Sequence, residues 1–510
     1  MFAPLFVLTK ATHYFKISEI IDPRITKICL EFTRQFIKVN TPRGKQKNDS
    51  KELIIFASGT RNRSEFRFHI NTLEKFHGLL QNRVISDNLF KVVEKPHLIQ
   101  PEIGLKVKEG WKLREDQLPV NEYIIKPDGP PSRFVGMQTG DGKTFVTLRS
   151  ITKRTVIIVR PMFMDKWVGD VHNILDLDVS QHVVAIRGME DIKALLELAT
   201  IPGGMDDIKV IIFSNKTMQL WFKQYVEFGK ETLEQGFKCL PEDFYDHCGI
   251  GCRVIDEVHM DFHLNFLIDL YSNVEKSISL SATLLHGDSF IEDMQKIAYP
   301  MNARYRNIAL KRYAISYGVT YYMRFGRKYK TTEFNQTTYS HNAFEKSIMK
   351  NPEFLESYMQ MIKDLIDKGY IAYRKPGQRA IVFASSIAMC TALTNYLKES
   401  YPDLDVRRYV EDDPYTNYLE PDIRVTTIQS GGTAHDVKNL IAGFLTVGLQ
   451  SLQTNIQVLG RLRLIEGVDV RFYFFSCLDI PKHIAYHRQK EEIMRERAAA
   501  YYHLPYQRPV

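Results

Sequence analysis

Apolar positions change spacing along the chain. From residue 12 to 40 they alternate in places with polar ones, as in Ile25-Thr-Lys-Ile-Cys-Leu-Glu-Phe-Thr-Arg-Gln-Phe-Ile-Lys-Val39, a pattern that predicts a strand. Thr41–Ser50 is polar and basic and predicts a loop, and Glu52–Ser58 and Glu65–Ile70 predict short strands. Leu73, Phe76, Leu79 and Leu80 share one helical face, so 71–83 predicts a helix with Asn71 as N-cap. These elements make a small α+β domain over residues 1–97, and the prolines at 96 and 101 mark its boundary.

Beyond that boundary short apolar runs alternate with helical stretches. Thr155–Val159, Val183–Ile186, Val210–Phe213 and Arg253–Asp256 suit buried strands of a parallel sheet. Asp165–Leu177 and Asp191–Ala199 predict helices between them. A second series holds Ala380–Phe383, Val406–Val410, Arg424–Thr427 and Val470–Phe475. The expected fold class is therefore α/β: two parallel-sheet domains, 98–300 and 342–482, behind a small α+β domain. Residues 301–341 form a segment between them, and 483–510 a C-terminal helix and tail.

Composition changes this picture in two places. With 510 residues, 44% of them hydrophobic, the chain can bury several cores, and it holds no apolar run of membrane-spanning length. The short apolar start, interrupted by Pro4, lacks the basic region of a signal peptide. Six cysteines are too few for a disulfide scaffold, which points to a reducing, cytoplasmic compartment. Cys239, Cys248 and Cys252 do not follow a standard zinc spacing. Charge is concentrated: residues 1–100 carry 17 Lys/Arg against 9 Asp/Glu, which accounts for the whole net charge of +8. A compact basic region predicts a polyanionic partner, nucleic acid before membrane.

The strongest chemical signal is Gly136-Met-Gln-Thr-Gly-Asp-Gly-Lys-Thr144. A loop of this type turns backbone N–H groups onto phosphate oxygens, with Thr139, Gly140, Asp141 and Gly142 in the cradle. Lys143 would reach the β and γ phosphates and the Thr144 hydroxyl would ligate Mg²⁺, so ATP and Mg²⁺ are the expected cofactors. Arg253-Val-Ile-Asp-Glu-Val-His259 follows 113 residues after Lys143, counted to Asp256. An apolar strand ending in two carboxylates complements a phosphate loop: Asp256 for the metal, Glu257 to orient and deprotonate the attacking water.

With these motifs the chain resembles superfamily-two helicases over about residues 105–480. Asp-Glu-Val-His is similar to a DEAD/H box, and Ser281-Ala282-Thr283 to the Ser-Ala-Thr motif coupling ATP state to strand movement, with His259 in the same coupling role. Leu113-Arg-Glu-Asp-Gln117 resembles the element whose glutamine reads adenine. Gln457-Val-Leu-Gly-Arg-Leu-Arg463 resembles the Gln-x-x-Gly-Arg motif; it implies catalytic roles for Gln457 and Arg463 and makes Arg461 the arginine-finger candidate. The family often has a second arginine where Leu464 stands, and Arg463 precedes it. The resemblance implies two RecA-like motor domains closing on ATP, and loop contacts to phosphate from Arg160, Ser214, Thr217, Thr427 and Ser430.

His-Asp-Val-Lys-Asn-Leu440 and the small basic N-terminal domain are similar to the phage UvsW-type branch-migration helicases. This implies a DNA helicase or translocase acting on branched or junction DNA, and on RNA–DNA loops, with no membrane partner. An RNA helicase, a non-unwinding ATP-switched binding module and the motor subunit of a restriction-type nuclease stay open beside it. Residues 301–330 interleave eight Lys/Arg with seven aromatics and no acid. That mixture suits either base stacking or interdomain packing.

Overall fold

The computed structural model describes residues 3–40, 52–138, 140–282, 288–305, 312–323, 330–332, 339–432 and 437–510. The loop expected at 41–50 lies outside these. Among the described residues no helix is long and apolar enough to cross a membrane. The chain divides into two compact units that meet in sequence near residue 308.

The first unit is built on a seven-stranded sheet. Its order is Val183–Ile186, Val210–Ser214, Thr155–Val159, Cys252–Ile255, Lys276–Ser281, Ser132–Gly136, Arg304–Tyr305, with every neighbouring pair parallel. The apolar runs form buried strands because helices cover both faces. Val156 and Ile158 enter one apolar layer, Ile157 and Val159 the other, and all four are buried. Each such side chain contributes roughly 1.5–3 kcal/mol by leaving water.

The second unit repeats the plan in the order Val406–Tyr409, Ile423–Thr427, Arg379–Ala384, Leu440–Leu445, Val470–Cys477, Ala314–Tyr321, Ala500–Pro505, again all parallel. The residues after 482 are a helix, Pro481–Arg497, and the edge strand of this sheet. Four of the five described aromatics of 301–330 pack, Tyr305 against Tyr123 at 5.5 Å. Tyr317 stacks between Tyr473 and Tyr502 at 4.6 and 5.6 Å, Tyr321 is buried, and Tyr313 donates to the Leu462 carbonyl at 2.7 Å. Tyr322 is exposed, and Arg306, Lys311 and 324–329 lie outside the described residues.

The N-terminal sheet has five strands, ordered Ser58–Gly59, Phe66–His69, Tyr14–Ser18, Val7–Lys10, Lys91–Glu94. Its core is continuous with one layer of the first unit. Here the expected strand over 25–39 is corrected: Pro23–Arg34 is a helix, and only Ile37–Asn40 is extended. Asp22 accepts from Arg24 N and Pro23 occupies the first turn, a strong helix start. Ile25, Ile28, Cys29 and Phe32 then fall on one buried face at helical spacing, which outweighs the partial alternation. The helix expected from Asn71 begins at Leu73 after a short 3-10 turn. Asn71 is not the cap; its side-chain amide donates to the Ile297 carbonyl.

Candidate active site

In the first unit the sequence-predicted groups gather at one edge of the sheet, beyond the C-terminal ends of the strands, where α/β sheets bind ligands. Ser132–Gly136 runs into the glycine-bearing loop that ends at Lys143, Lys276–Ser281 lies beside it, and Cys252–Ile255 beyond that delivers Asp256 and Glu257. The loop residues Gly140 and Gly142 take positive φ of 93° and 85°. The positive φ disfavours any side chain at Gly142, and a Cβ there would also displace the Gln117 amide. Helix Lys143–Ser150 starts directly after it. Thr139 lies outside the described residues.

Lys143 is buried, and its Nζ lies 3.1 Å from Glu257 Oε1. Glu257 holds a left-handed backbone, φ 46°, which costs a non-glycine residue of order 1–3 kcal/mol and is typical of functional positions. Asp256 Oδ1 accepts from Glu257 N at 2.9 Å and Oδ2 from the Trp167 indole at 2.8 Å. Burial, and then the neighbouring Glu257 carboxylate, push the Asp256 carboxyl up. A desolvated carboxylate beside a second one, with the Thr144 hydroxyl in the adjoining first helical turn, is a hard-oxygen donor set that fits Mg²⁺. His259 Nδ1 lies 2.6 Å from Ser281 Oγ and 3.3 Å from Glu257 Oε2, linking the two motifs within this sheet. Ala282 follows Ser281, and Thr283 lies outside the described residues.

Gln117 is buried against the loop. Its Nε2 donates to the Asp141 carbonyl at 2.7 Å and its Oε1 accepts from Arg114 N at 3.1 Å. Arg114 also donates to the Asp141 carbonyl, at 2.7 Å. Both ends of the glutamine amide are thus taken up by the protein. Two of the expected phosphate contacts are differently employed. Ser214 and Thr217 are buried at the start of helix Asn215–Phe228. Ser214 caps that helix, and the Thr217 hydroxyl donates to the Arg187 carbonyl at 2.7 Å. Arg160 pairs with Asp261 at 2.8 Å. In the second unit Thr427 and Ser430 bond to each other at 3.0 Å at the end of Ile423–Thr427. Gln457 sits in helix Leu452–Leu459, Arg461 follows it, and Arg463 donates to the Gly460 carbonyl.

Sequence reading missed two groups. Trp167 bonds to Asp256 across 89 positions, and no local pattern could show it. Arg187, half exposed and paired with Asp165, follows the strand Val183–Ile186 at the same sheet edge, as Arg160 follows its own strand.

No protein-family model matches the chain, and no curated protein matches it. Among solved structures, S. cerevisiae Dbp5 bound to RNA and ADP BeF3 is similar at a TM-score of 0.50 and 11% identity, covering 78% of this chain and 91% of that one. T4 UvsW covers 98% of this chain and 99% of its own at a TM-score of 0.33 and 12% identity. The Pyrococcus furiosus Hef helicase domain covers 73% and 97% at a TM-score of 0.42 and 12% identity. The two seven-stranded parallel sheets and the likeness to Dbp5 give the chain the fold of tandem RecA-like domains, preceded by a small sheet domain.

Proposed function

We propose that this protein is an ATP-dependent motor on nucleic acid, a helicase or translocase, and that it acts on branched DNA. The observation that carries the nucleotide reading is the 3.1 Å pair between Lys143 Nζ and Glu257 Oε1. It puts a phosphate-loop lysine against a carboxylate held in a strained backbone, beside a second, partly buried carboxylate. Arriving β and γ phosphates would draw Lys143 away from Glu257, freeing that carboxylate to orient and deprotonate water. Asp256 and Thr144 would hold Mg²⁺, which when bound neutralises phosphate charge. Gln117 would reach adenine only by giving up its bonds to Asp141 and Arg114. The His259–Ser281 bond would carry nucleotide state into the Ser281-Ala282 segment. Arg461 is the proposed finger, with Gln457 one helical turn before it and Arg463 behind.

A nucleic-acid partner is supported by the 17 Lys/Arg among residues 1–100 and by the shared fold of Dbp5, a protein seen with RNA and ADP BeF3. Arg160, Thr427 and Ser430 remain the proposed phosphate contacts; Ser214 and Thr217 would act through the helix they start. The preference for branched DNA rests on the His435–Leu440 stretch, of which His435 and Asp436 lie outside the described residues, and on the basic N-terminal domain. The Dbp5 likeness favours RNA as the second reading. ATP hydrolysis should be measured with no polymer, single-stranded DNA, duplex, four-way junction and RNA, with Lys143→Ala as control. Stimulation greatest on the junction supports the proposal. Stimulation greatest on RNA replaces it with the second reading, and hydrolysis indifferent to every polymer overturns both.

A further inference from the structure

Helix Leu452–Leu459 carries Gln457 and leads to Arg461, and it is reached from strand Leu440–Leu445 through a six-residue connection, Thr446 to Ser451. Part of that connection is held by the helix itself: Asn455 donates to the Ser451 carbonyl at 2.9 Å, and Ser451 caps the first turn. Its other end is held by side chains from distant elements. Lys490, in helix Pro481–Arg497, donates from Nζ to the Val447 carbonyl at 2.9 Å. The next residue, Gly448, donates its N–H to His341 Nδ1 at 3.1 Å.

Both anchors are costly to bury. Lys490 is fully buried, and no carboxylate among the described residues pairs with it. An apolar chain of the same length would fill that space without desolvating an ammonium, so the lysine contributes a donor rather than volume. His341 is buried and stacks on His483, centroids 5.5 Å apart. Cys477 N donates to His483 Nδ1 at 3.0 Å, which leaves the His483 proton on Nε2, facing the Tyr339 hydroxyl. The Tyr339 hydroxyl lies 2.6 Å from His341 Nδ1, the acceptor used by Gly448. A Cβ at Gly448 would come within 2.9 Å of His483 Nε2, so the loop approaches this cluster as closely as glycine allows.

We propose that Lys490 and His341 are positioning residues that fix Val447 and Gly448, and through them the helix bearing Gln457 and Arg461. The C-terminal helix, outside the motif-bearing region, thus sets the geometry of the arginine finger. This rests on the finger reading for Arg461, and the experiment separates the two. Lys490→Met and His341→Leu should keep the wild-type circular dichroism. In both, hydrogen exchange of the amides from 447 to 459 should speed up by about tenfold or more, while other second-unit strands keep or gain protection. The polymer-stimulated kcat should fall by about tenfold with KM for ATP within about twofold, as expected when a group acting only in the transition state is displaced. His341→Gln, which keeps an acceptor, should recover part of both. Unchanged exchange over 447–459 in both variants overturns the proposal whatever the ATPase does. If Arg461→Ala leaves kcat intact while exchange responds as expected, the finger reading fails and the loop anchoring stands.

Discussion

The link between the N-terminal sheet and the first α/β sheet turns on one carboxylate, and replacing Glu242 by Gln tests it. Glu242 is buried in a short 3-10 turn, and three groups of the small domain converge on it. Arg67, with 1% of its side chain exposed, lies 2.6 Å from Oε2. Lys16 Nζ lies 2.9 Å from Oε1, and the Tyr14 hydroxyl donates to Oε2 at 3.2 Å. Arg67 also lies over the rings of Tyr14, Tyr225 and Tyr271 at 5.2, 5.4 and 4.9 Å. Removing one partner of a buried pair costs about 3–5 kcal/mol because the other charge is stranded. The amide that replaces the carboxylate keeps an acceptor, so about 3 kcal/mol is expected, a large share of a stability of about 5–15 kcal/mol. Urea unfolding followed by hydrogen exchange over Tyr14–Ser18 and Phe66–His69 reads it directly. Acid dependence gives a second reading. Burial alone would raise the Glu242 carboxyl, but Arg67 and then Lys16 reverse this and hold it well below its ordinary 4.5. A carboxylate lowered in the folded state stabilises above its unfolded value and loses that contribution as pH falls below 4.5. The acid limb should therefore flatten in Glu242→Gln. The double variant Arg67→Met/Glu242→Leu removes both members of the pair, leaving only the less deeply buried Lys16 and Glu65 without it, and should lose less than the two singles summed. A loss under about 1 kcal/mol, or a double variant as weak as the summed singles, refutes the reasoning.

Under the proposed function, Glu257→Gln removes the carboxylate that pairs with Lys143, so ATP should bind more tightly by calorimetry while hydrolysis falls about 10²-fold or more. Lys143→Ala should abolish both. Trp167→Phe takes a donor from Asp256 while keeping the ring's bulk; a hydrogen bond to a charged group is worth about 1.5–3 kcal/mol, so Mg²⁺ half-saturation should rise roughly tenfold with little change in melting temperature. Burial lowers the Lys490 ammonium from 10.5 to about 7. The folded state therefore binds fewer protons than the unfolded one between those values, and stability should rise with pH across that window. Lys490→Met should flatten that rise and gain up to about 4 kcal/mol at neutral pH, less about 1 kcal/mol for the lost bond, in urea titrations of the second unit.

What can be read from the sequence and what cannot divide along a physical line. The glycine-bearing loop before Lys143 and the Asp256–Glu257 pair are legible because each is a short stretch at the end of a strand that its apolar run announces. Their convergence follows from strand ends sharing one edge of a parallel sheet. The helix Pro23–Arg34 reads wrongly as a strand because Ile28, Leu30 and Phe32 alternate while Ile25, Ile28, Cys29 and Phe32 keep a helical period, and Asp22-Pro23 is the deciding signal. Ser214 suggests a phosphate contact because a hydroxyl after a buried strand suits that role, yet the same hydroxyl is an equally good helix cap. Such ambiguity is resolved only by what packs around the residue. The anchors Trp167, Arg67 and Lys490 have no local signature at all. Each is a polar or charged group far in sequence from the atom it holds, sitting where an apolar side chain would have satisfied the pattern. A buried cation is costly wherever it is placed, so the burial of Lys490 against the Val447 carbonyl and the Phe474 ring says more about the loop it holds than the motif after that loop says about itself.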